Sequence, residues 1–142
     1  MKLLIEHGAD VDCTDDLGRT PLHLASEVGR PRAIQLLLEY GADVNKRMHR
    51  GRTPLHLSIC SGDVEVVRLL LQHGANVNDE NDDWTALHGA AHPWGGSLEI
   101  TRVLLEYGAN VHARAKSNKT PLELWSNGGD HDIAQLLSKH VR

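Results

Sequence analysis

Histidine gives this chain most of its capacity for acid–base or metal chemistry, because imidazole titrates near neutral pH and ligates metal ions. Ten histidines occur in the sequence. Three of them, His23, His56 and His88, each follow a threonine by three residues. A catalytic or metal site needs one convergent group, whereas this pattern repeats one local arrangement along the chain. We therefore expect these imidazoles to hydrogen-bond to backbone groups of adjoining loops and to stabilise the fold.

Other patterns that carry chemistry are missing from the sequence. Neither His-Glu-x-x-His nor Cys-x-x-Cys, two common spacings of metal ligands, occurs. No glycine-rich phosphate loop follows a strand, and no orienting base stands at a matching spacing from Cys60. The sequence therefore predicts no catalytic residue, no metal ligand and no cofactor-binding residue, and so a protein that is not an enzyme.

Composition limits the class of partner and the compartment. The formal net charge of −4 argues against general nucleic-acid binding, which needs a basic surface. No apolar run approaches the roughly 20 residues that span a bilayer, and residues 1–5 lack the features of a signal peptide. Cys13 and Cys60 have no paired spacing, which fits a reducing compartment. We expect a cytoplasmic or nuclear protein without membrane or nucleic-acid partners.

One tetrapeptide recurs along the chain and sets its organisation. Thr20-Pro21-Leu22-His23 returns unchanged at Thr53 and with one change each at Thr85 and Thr120, at spacings of 33, 32 and 35 residues. Self-similarity at such a period is typical of repeat proteins, whose units stack on their neighbours. A residue that recurs in every unit is therefore expected to build the unit.

Each unit predicts two short helices. Thr20 is placed to cap the first helix, Pro21 suits its first position, and Gly29 supplies a left-handed end. The second helix carries an apolar stripe that includes Ile34 and Leu37. Equivalent stripes in the next two units contain Val66, Leu69 and Leu70, and Ile100, Val103 and Leu104.

Three segments of the first unit carry a family resemblance. They are the run from Asp15 to Ala25, the triplet Leu36-Leu37-Leu38, and Gly41-Ala42-Asp43-Val44-Asn45. Together they resemble an ankyrin repeat, and the resemblance covers essentially the whole chain. It implies an all-α ankyrin-repeat solenoid of helix–turn–helix units with β-hairpin-like fingers, usually a binding scaffold without catalysis. The implied organisation is one domain over residues 1–142, with a half repeat at 1–14 and repeats at about 15–47, 48–79, 80–114 and 115–142.

The two ends depart from this pattern. Leu3-Leu4-Ile5 aligns with Leu36-Leu37-Leu38, so the chain begins in a second helix. We expect either a half-repeat cap, which could self-associate, or a fragment of a longer array. The last helix is more polar, as a C-terminal cap facing water should be.

The finger turns are expected to need a positive φ two positions before each capping threonine. Gly18 and Gly51 stand there in the first two units, and Asp83 and Asn118 in the last two. Aspartate and asparagine are among the non-glycine residues that best tolerate this conformation.

The three tryptophans are candidates for contact residues. Repeat three has two extra residues around Trp94, where Pro93 favours an end of the helix near Ala91. Trp94 is expected either to anchor a partner or to fold back over the helix pair. Trp84 is expected to pack along a finger, and Trp125 to be an enlarged cap residue.

Charge alternates between fingers, from basic in unit two to acidic in unit three and basic in unit four. Solvation alone explains many such surfaces, yet finger tips are also where this family resemblance places partners. The residues predicted to bind a partner are Asp16, Leu17, Arg19, His49, Arg50, Arg52, Asn81, Asp82, Trp84, Trp94, Lys116 and Lys119.

The resemblance implies protein–protein recognition through a concave face of fingers and first helices, with another protein as partner. One alternative is a regulatory or substrate-recruiting segment of a larger multidomain enzyme or ubiquitin-ligase assembly. Asn45 and Asn78 also resemble positions that an asparaginyl hydroxylase modifies, which would be a modification and not the function. The irregular spacings of 32 and 35 residues argue against a designed scaffold.

Overall fold

Helices begin where threonine and proline predict them. The computed structural model describes residues 6–92, 96–125 and 131–141. Its helices are α1 Pro21–Val28, α2 Pro31–Glu39, α3 Pro54–Ser61, α4 Val64–Gln72, α5 Ala86–Ala90, α6 Leu98–Glu106, α7 Pro121–Trp125 and α8 His131–His140, with a short 3-10 turn at His49–Gly51. The described residues contain no β-sheet, and one antiparallel bridge pairs Glu80 with Thr85. The predicted all-α class is confirmed.

The chain divides into two compact units, Met1–Asn76 and Val77–Arg142. In the first unit, α1 packs on α2 and α3, and α4 packs on α2 and α3. The second unit repeats this arrangement with α5 to α8. Each unit is therefore two stacked helix pairs, in which first helices meet first helices and second helices meet second helices. The predicted repeat boundaries stay a prediction.

The core is aliphatic, as expected from a sequence without phenylalanine. Ile34, Leu37 and Leu70 are fully buried in the first unit, and Ile100 and Leu104 are almost fully buried in the second. The remaining stripe residues divide, since Val66 and Val103 are buried while Leu69 is only half-buried. Burial of such side chains contributes about 1.5–3 kcal/mol each.

Trp125 is the exception to the aliphatic core. It is 4% exposed, and a methyl group on Gly96 would lie 3.1 Å from its ring. The same methyl would lie 2.8 Å from the carbonyl oxygens of Ala90 and His92. Glycine is therefore required where the loop after α5 returns to α6, and Trp125 fills the space beside it.

The finger of the third repeat, which precedes Thr85, contradicts one prediction. Asp83 does not adopt a positive φ; among the described non-glycine residues only Arg50 and Asn118 do. The hydrogen bond that closes this finger joins Asn81 N–H to the Trp84 carbonyl, whereas the first finger is closed from Asp15 to Arg19. The finger is thus one residue shorter, which accounts for the 32-residue spacing and removes the left-handed position. The Asn81 Oδ1 instead accepts from the N–H groups of Asp83 and Trp84, both at 2.8 Å.

Side chains of one register position clamp successive loops together. Asn45 Nδ2 donates to the Gly74 carbonyl at 3.1 Å, and its Oδ1 accepts from Asn76 N–H at 2.8 Å. Asn78 makes the equivalent pair of hydrogen bonds within the second unit. Asp12, at the same position in the first loop, accepts from Asp43 N–H but has no amide to donate.

Removing this clamp should lower stability in a graded way. We expect Asn45→Ala to reduce the free energy of unfolding by about 1–2 kcal/mol, because it loses two hydrogen bonds. Asn45→Asp keeps the acceptor, as Asp12 does, and should cost about half as much. Urea unfolding followed by circular dichroism measures both values, and identical transitions for all three proteins would exclude the clamp.

Candidate partner-binding surface

The repeated threonine and histidine form a reciprocal cap at the start of three first helices. Thr20 N–H donates to His23 Nδ1 at 3.1 Å, while the Thr20 hydroxyl lies 2.8 Å from the same nitrogen and caps the His23 N–H. The pairs Thr53–His56 and Thr85–His88 have the same geometry. Histidine therefore takes the part that glutamate or glutamine usually plays in a capping box.

The far side of the imidazole ties the first helix to the next finger. His23 Nε2 lies 3.2 Å from the Arg52 carbonyl, and His88 Nε2 lies 3.0 Å from the Lys119 carbonyl. Since Nδ1 accepts a backbone N–H, the proton must sit on Nε2 and be donated to that carbonyl. Each ring therefore joins two backbone segments in one neutral tautomer.

Burial keeps these two imidazoles neutral. His23 and His88 have no exposed surface, and desolvation lowers the pKa of each below its ordinary value of 6.5. Carbonyl hydrogen bonds act in the opposite direction but are outweighed. Within the described ranges, no group of three or more histidine, cysteine or acidic side chains could hold a metal ion. The predicted structural role of these histidines fits this geometry.

The tips of the first two fingers are joined by their backbones in the first unit. His49 N–H donates to the Leu17 carbonyl at 3.0 Å. Arg19 donates from its backbone N–H and from its guanidinium to the Asp15 carboxylate, at 2.9 and 2.8 Å, and these hydrogen bonds lower the pKa of Asp15. Asp16, Leu17, His49 and Arg50 are exposed, and Arg19 and Arg52 are half-buried. The six contact residues predicted here thus lie on joined fingers.

An exposed aliphatic surface accompanies these tips, and the predicted contact residues include only part of it. Leu17, Leu24 and Val28 are 48%, 41% and 62% exposed. Leu57 has the register of Leu24 but is 2% exposed. One turn later Ser61 lies against Gly29 at the end of α1, so α1 covers that side of α3. Leu24 and Val28 therefore lie on the side of α1 that corresponds to the stacking side of α3.

In the second unit, Trp84 lies half-buried at the base of its finger. Its ring meets His92 edge-on, with centroids 5.4 Å apart and planes at 69°. Lys116 N–H donates to the Asp83 carbonyl at 2.8 Å and so joins the two fingers of this unit. The predicted residues Asn81, Asp82, Trp84 and Lys116 line one hollow of about 250 Å³, with Glu80, Asp83, Arg114 and Ala115.

Of the predicted contact residues that the structure describes in the second unit, Lys119 does not line this hollow. Lys119 is exposed and gives its backbone carbonyl to His88. Trp94 lies outside the described residues, so its role stays a prediction, as does self-association through the half repeat. No helix in the part of the chain that the structure describes is long and apolar enough to cross a membrane.

Two family models match the sequence, and both describe ankyrin repeats. One, for many copies of the repeat, matches residues 4–58, and the other, for three copies, matches residues 46–115. Together they span residues 4–115, which include the first three fingers and the three capping histidines.

The buried histidines make stability depend on pH. Below pH 6.5 the unfolded chain binds protons that the folded His23 and His88 resist, so the free energy of unfolding should fall as pH falls toward their lowered folded-state pKa values. The slope is at most about 1.4 kcal/mol per pH unit for each histidine. His23→Gln/His88→Gln keeps a capping partner without a titrating ring and should flatten the slope. Urea unfolding between pH 7.5 and about 5 tests this, and parallel pH curves for both proteins would contradict it.

Proposed function

This chain belongs to the ankyrin repeat family, and we propose that it recognises another protein through its fingers and first helices. Ankyrin repeats generally mediate protein–protein interactions and are typically without enzymatic activity. The proposal places the partner on the face that fingers and first helices share in each unit, the concave face of this fold family. Recognition there requires side chains that are exposed yet held in place.

The observation that carries the proposal is the pair of joined finger tips in the first unit. The His49 N–H donates to the Leu17 carbonyl at 3.0 Å, and Asp16, Leu17, His49 and Arg50 are all exposed there. Leu17 is 48% exposed and is an apolar side chain among charged neighbours. The backbone hydrogen bond between the tips holds these side chains in place for a partner.

The fingers add charge that can select a partner. The second finger has a basic tip that contains Lys46, Arg47, Arg50 and Arg52. The first finger contains the carboxylates of Asp15 and Asp16. Charged groups at such rims govern association rate more than final affinity. Both cysteines are free and exposed, which supports the cytoplasm or nucleus as the compartment of this interaction.

Charge reversal in the second finger should test this surface. With a partner isolated by affinity capture and then purified, Arg50→Glu/Arg52→Glu should slow association about tenfold and change its salt dependence. Leu17→Asp should weaken equilibrium binding by about tenfold or more. Surface plasmon resonance at two salt concentrations measures both effects.

The matched control reverses two charges on second helices. Arg32→Glu/Arg102→Glu changes the net charge by the same amount at exposed positions of α2 and α6. If this control weakens binding while the charge-reversal variant and Leu17→Asp bind normally, the partner lies on the second helices and the proposal is wrong. Circular dichroism establishes that each variant keeps its helices.

A further inference from the structure

The second unit has an apolar hollow between its two fingers and helix α7. The hollow measures about 480 Å³, and its walls are Trp84, Ala115 and Leu124, with Asp83, Lys116 and Ser117 at the edge. This volume falls within the range of about 300–1,000 Å³ that is usual for ligand sites. It can take one bulky side chain together with the backbone that carries it.

Trp84 is fixed before any partner arrives. Its backbone N–H is held by Asn81 Oδ1 at 2.8 Å, and its ring is held edge-on by His92. The shortened finger produces the first contact, because Asn81 there bonds the N–H groups of both Asp83 and Trp84. A rigid aromatic wall loses little conformational freedom on binding, which favours its use as an anchor.

A polar hollow adjoins the apolar one and shares Asp83, Trp84, Ala115 and Lys116 with it. The backbone hydrogen bond from Lys116 to Asp83 crosses this shared wall and fixes the separation of the two fingers. A ligand that enters one hollow therefore passes directly beside the other.

The polar hollow carries an excess of negative charge. Its lining includes the carboxylates of Glu80, Asp82 and Asp83 against the cations of Arg114 and Lys116. Arg114 Nη1 already donates to the Asn118 carbonyl at 2.7 Å and lies 3.5 Å from a Glu123 carboxylate oxygen. Over the whole lining, three acidic residues stand against two basic ones, so the hollow is net negative and its complement is a cationic side chain.

We propose that these joined hollows bind an extended peptide segment of a protein partner. The segment presents an aliphatic or aromatic side chain to Trp84 and Leu124, and a lysine or arginine two residues away to Glu80 and Asp82. In an extended strand, the nearest side chains on one face are two residues and about 6.6 Å apart, and this sets the spacing of the two residues in the motif. This inference rests on the proposed function and adds the chemistry of the partner.

The test uses a phage-displayed library of random linear peptides selected on the intact chain. Enriched sequences should share an apolar residue followed or preceded, two positions away, by lysine or arginine. The synthetic peptide enriched most should then lose about tenfold or more in affinity against Trp84→Ala, measured by fluorescence anisotropy. Tyr107→Ala, an exposed aromatic at the end of α6, is the matched control and should bind as the wild type does.

A second pair of variants tests the charge. Selection on Asp82→Lys should replace the lysine or arginine of the enriched peptides with aspartate or glutamate. Glu39→Lys makes the same change of charge at the exposed end of α2 and should leave the enriched motif unchanged. If Trp84→Ala loses helical circular dichroism, Leu124→Gln on the facing wall gives the same test.

Several outcomes separate this inference from the proposed function. Peptides that bind Trp84→Ala and Leu124→Gln normally, yet respond to Arg50→Glu/Arg52→Glu, would overturn the hollow as the site and retain the finger surface. A library that yields no shared motif would also overturn the inference, while the titration with the whole partner still tests the function. Peptides insensitive to every finger and first-helix variant would overturn both.

Discussion

Three described first helices are short, and the reciprocal cap between threonine and histidine is what lets each begin. The fourth uses Glu123 in the place of histidine. Isolated helices of five to eight residues are unstable in water, because the free-energy cost of nucleating a helix exceeds the stabilisation from its few hydrogen bonds. The imidazole of His23 satisfies a backbone N–H at one nitrogen and a carbonyl of the following finger at the other. One side chain thus starts a helix and sets the distance to the next finger, on which the surface for a partner depends.

The same geometry explains why His23 and His88 are poorly suited to acid–base chemistry. An imidazole useful in catalysis changes protonation near neutral pH, whereas His23 and His88 are held in one neutral tautomer by backbone partners on both sides. Their lowered pKa values follow from the same burial that lets each ring join two backbone segments. The burial that suits these imidazoles to a structural role therefore makes them less suited to acid–base catalysis.

Much of the fold could be predicted from the sequence because caps, apolar stripes and turn residues act locally. Thr20, Pro21 and Gly29 occupy the positions their chemistry predicts. The turn at Asp83 could not be predicted by counting back from Thr85, because the finger from Asn81 to Trp84 is one residue shorter than the finger from Asp15 to Arg19. Nor did composition reveal the exposure of Val28, which depends on how the first helices stack on one another. The apolar hollow beside Trp84 likewise arises from two fingers that are distant in sequence.

The shortened finger shows where such a chain tolerates changes of length. Loss of one residue before Thr85 leaves its cap and the helix that follows intact, because each threonine restarts the helical register independently of what precedes it. A finger can therefore lengthen or shorten without rotating any apolar stripe away from the core, whereas one residue gained inside a helix would turn every later side chain by about 100°. Such proteins can therefore differ in loop length as well as in side-chain identity, and the fingers, where the partner is proposed to bind, are the part of the fold that can vary in both.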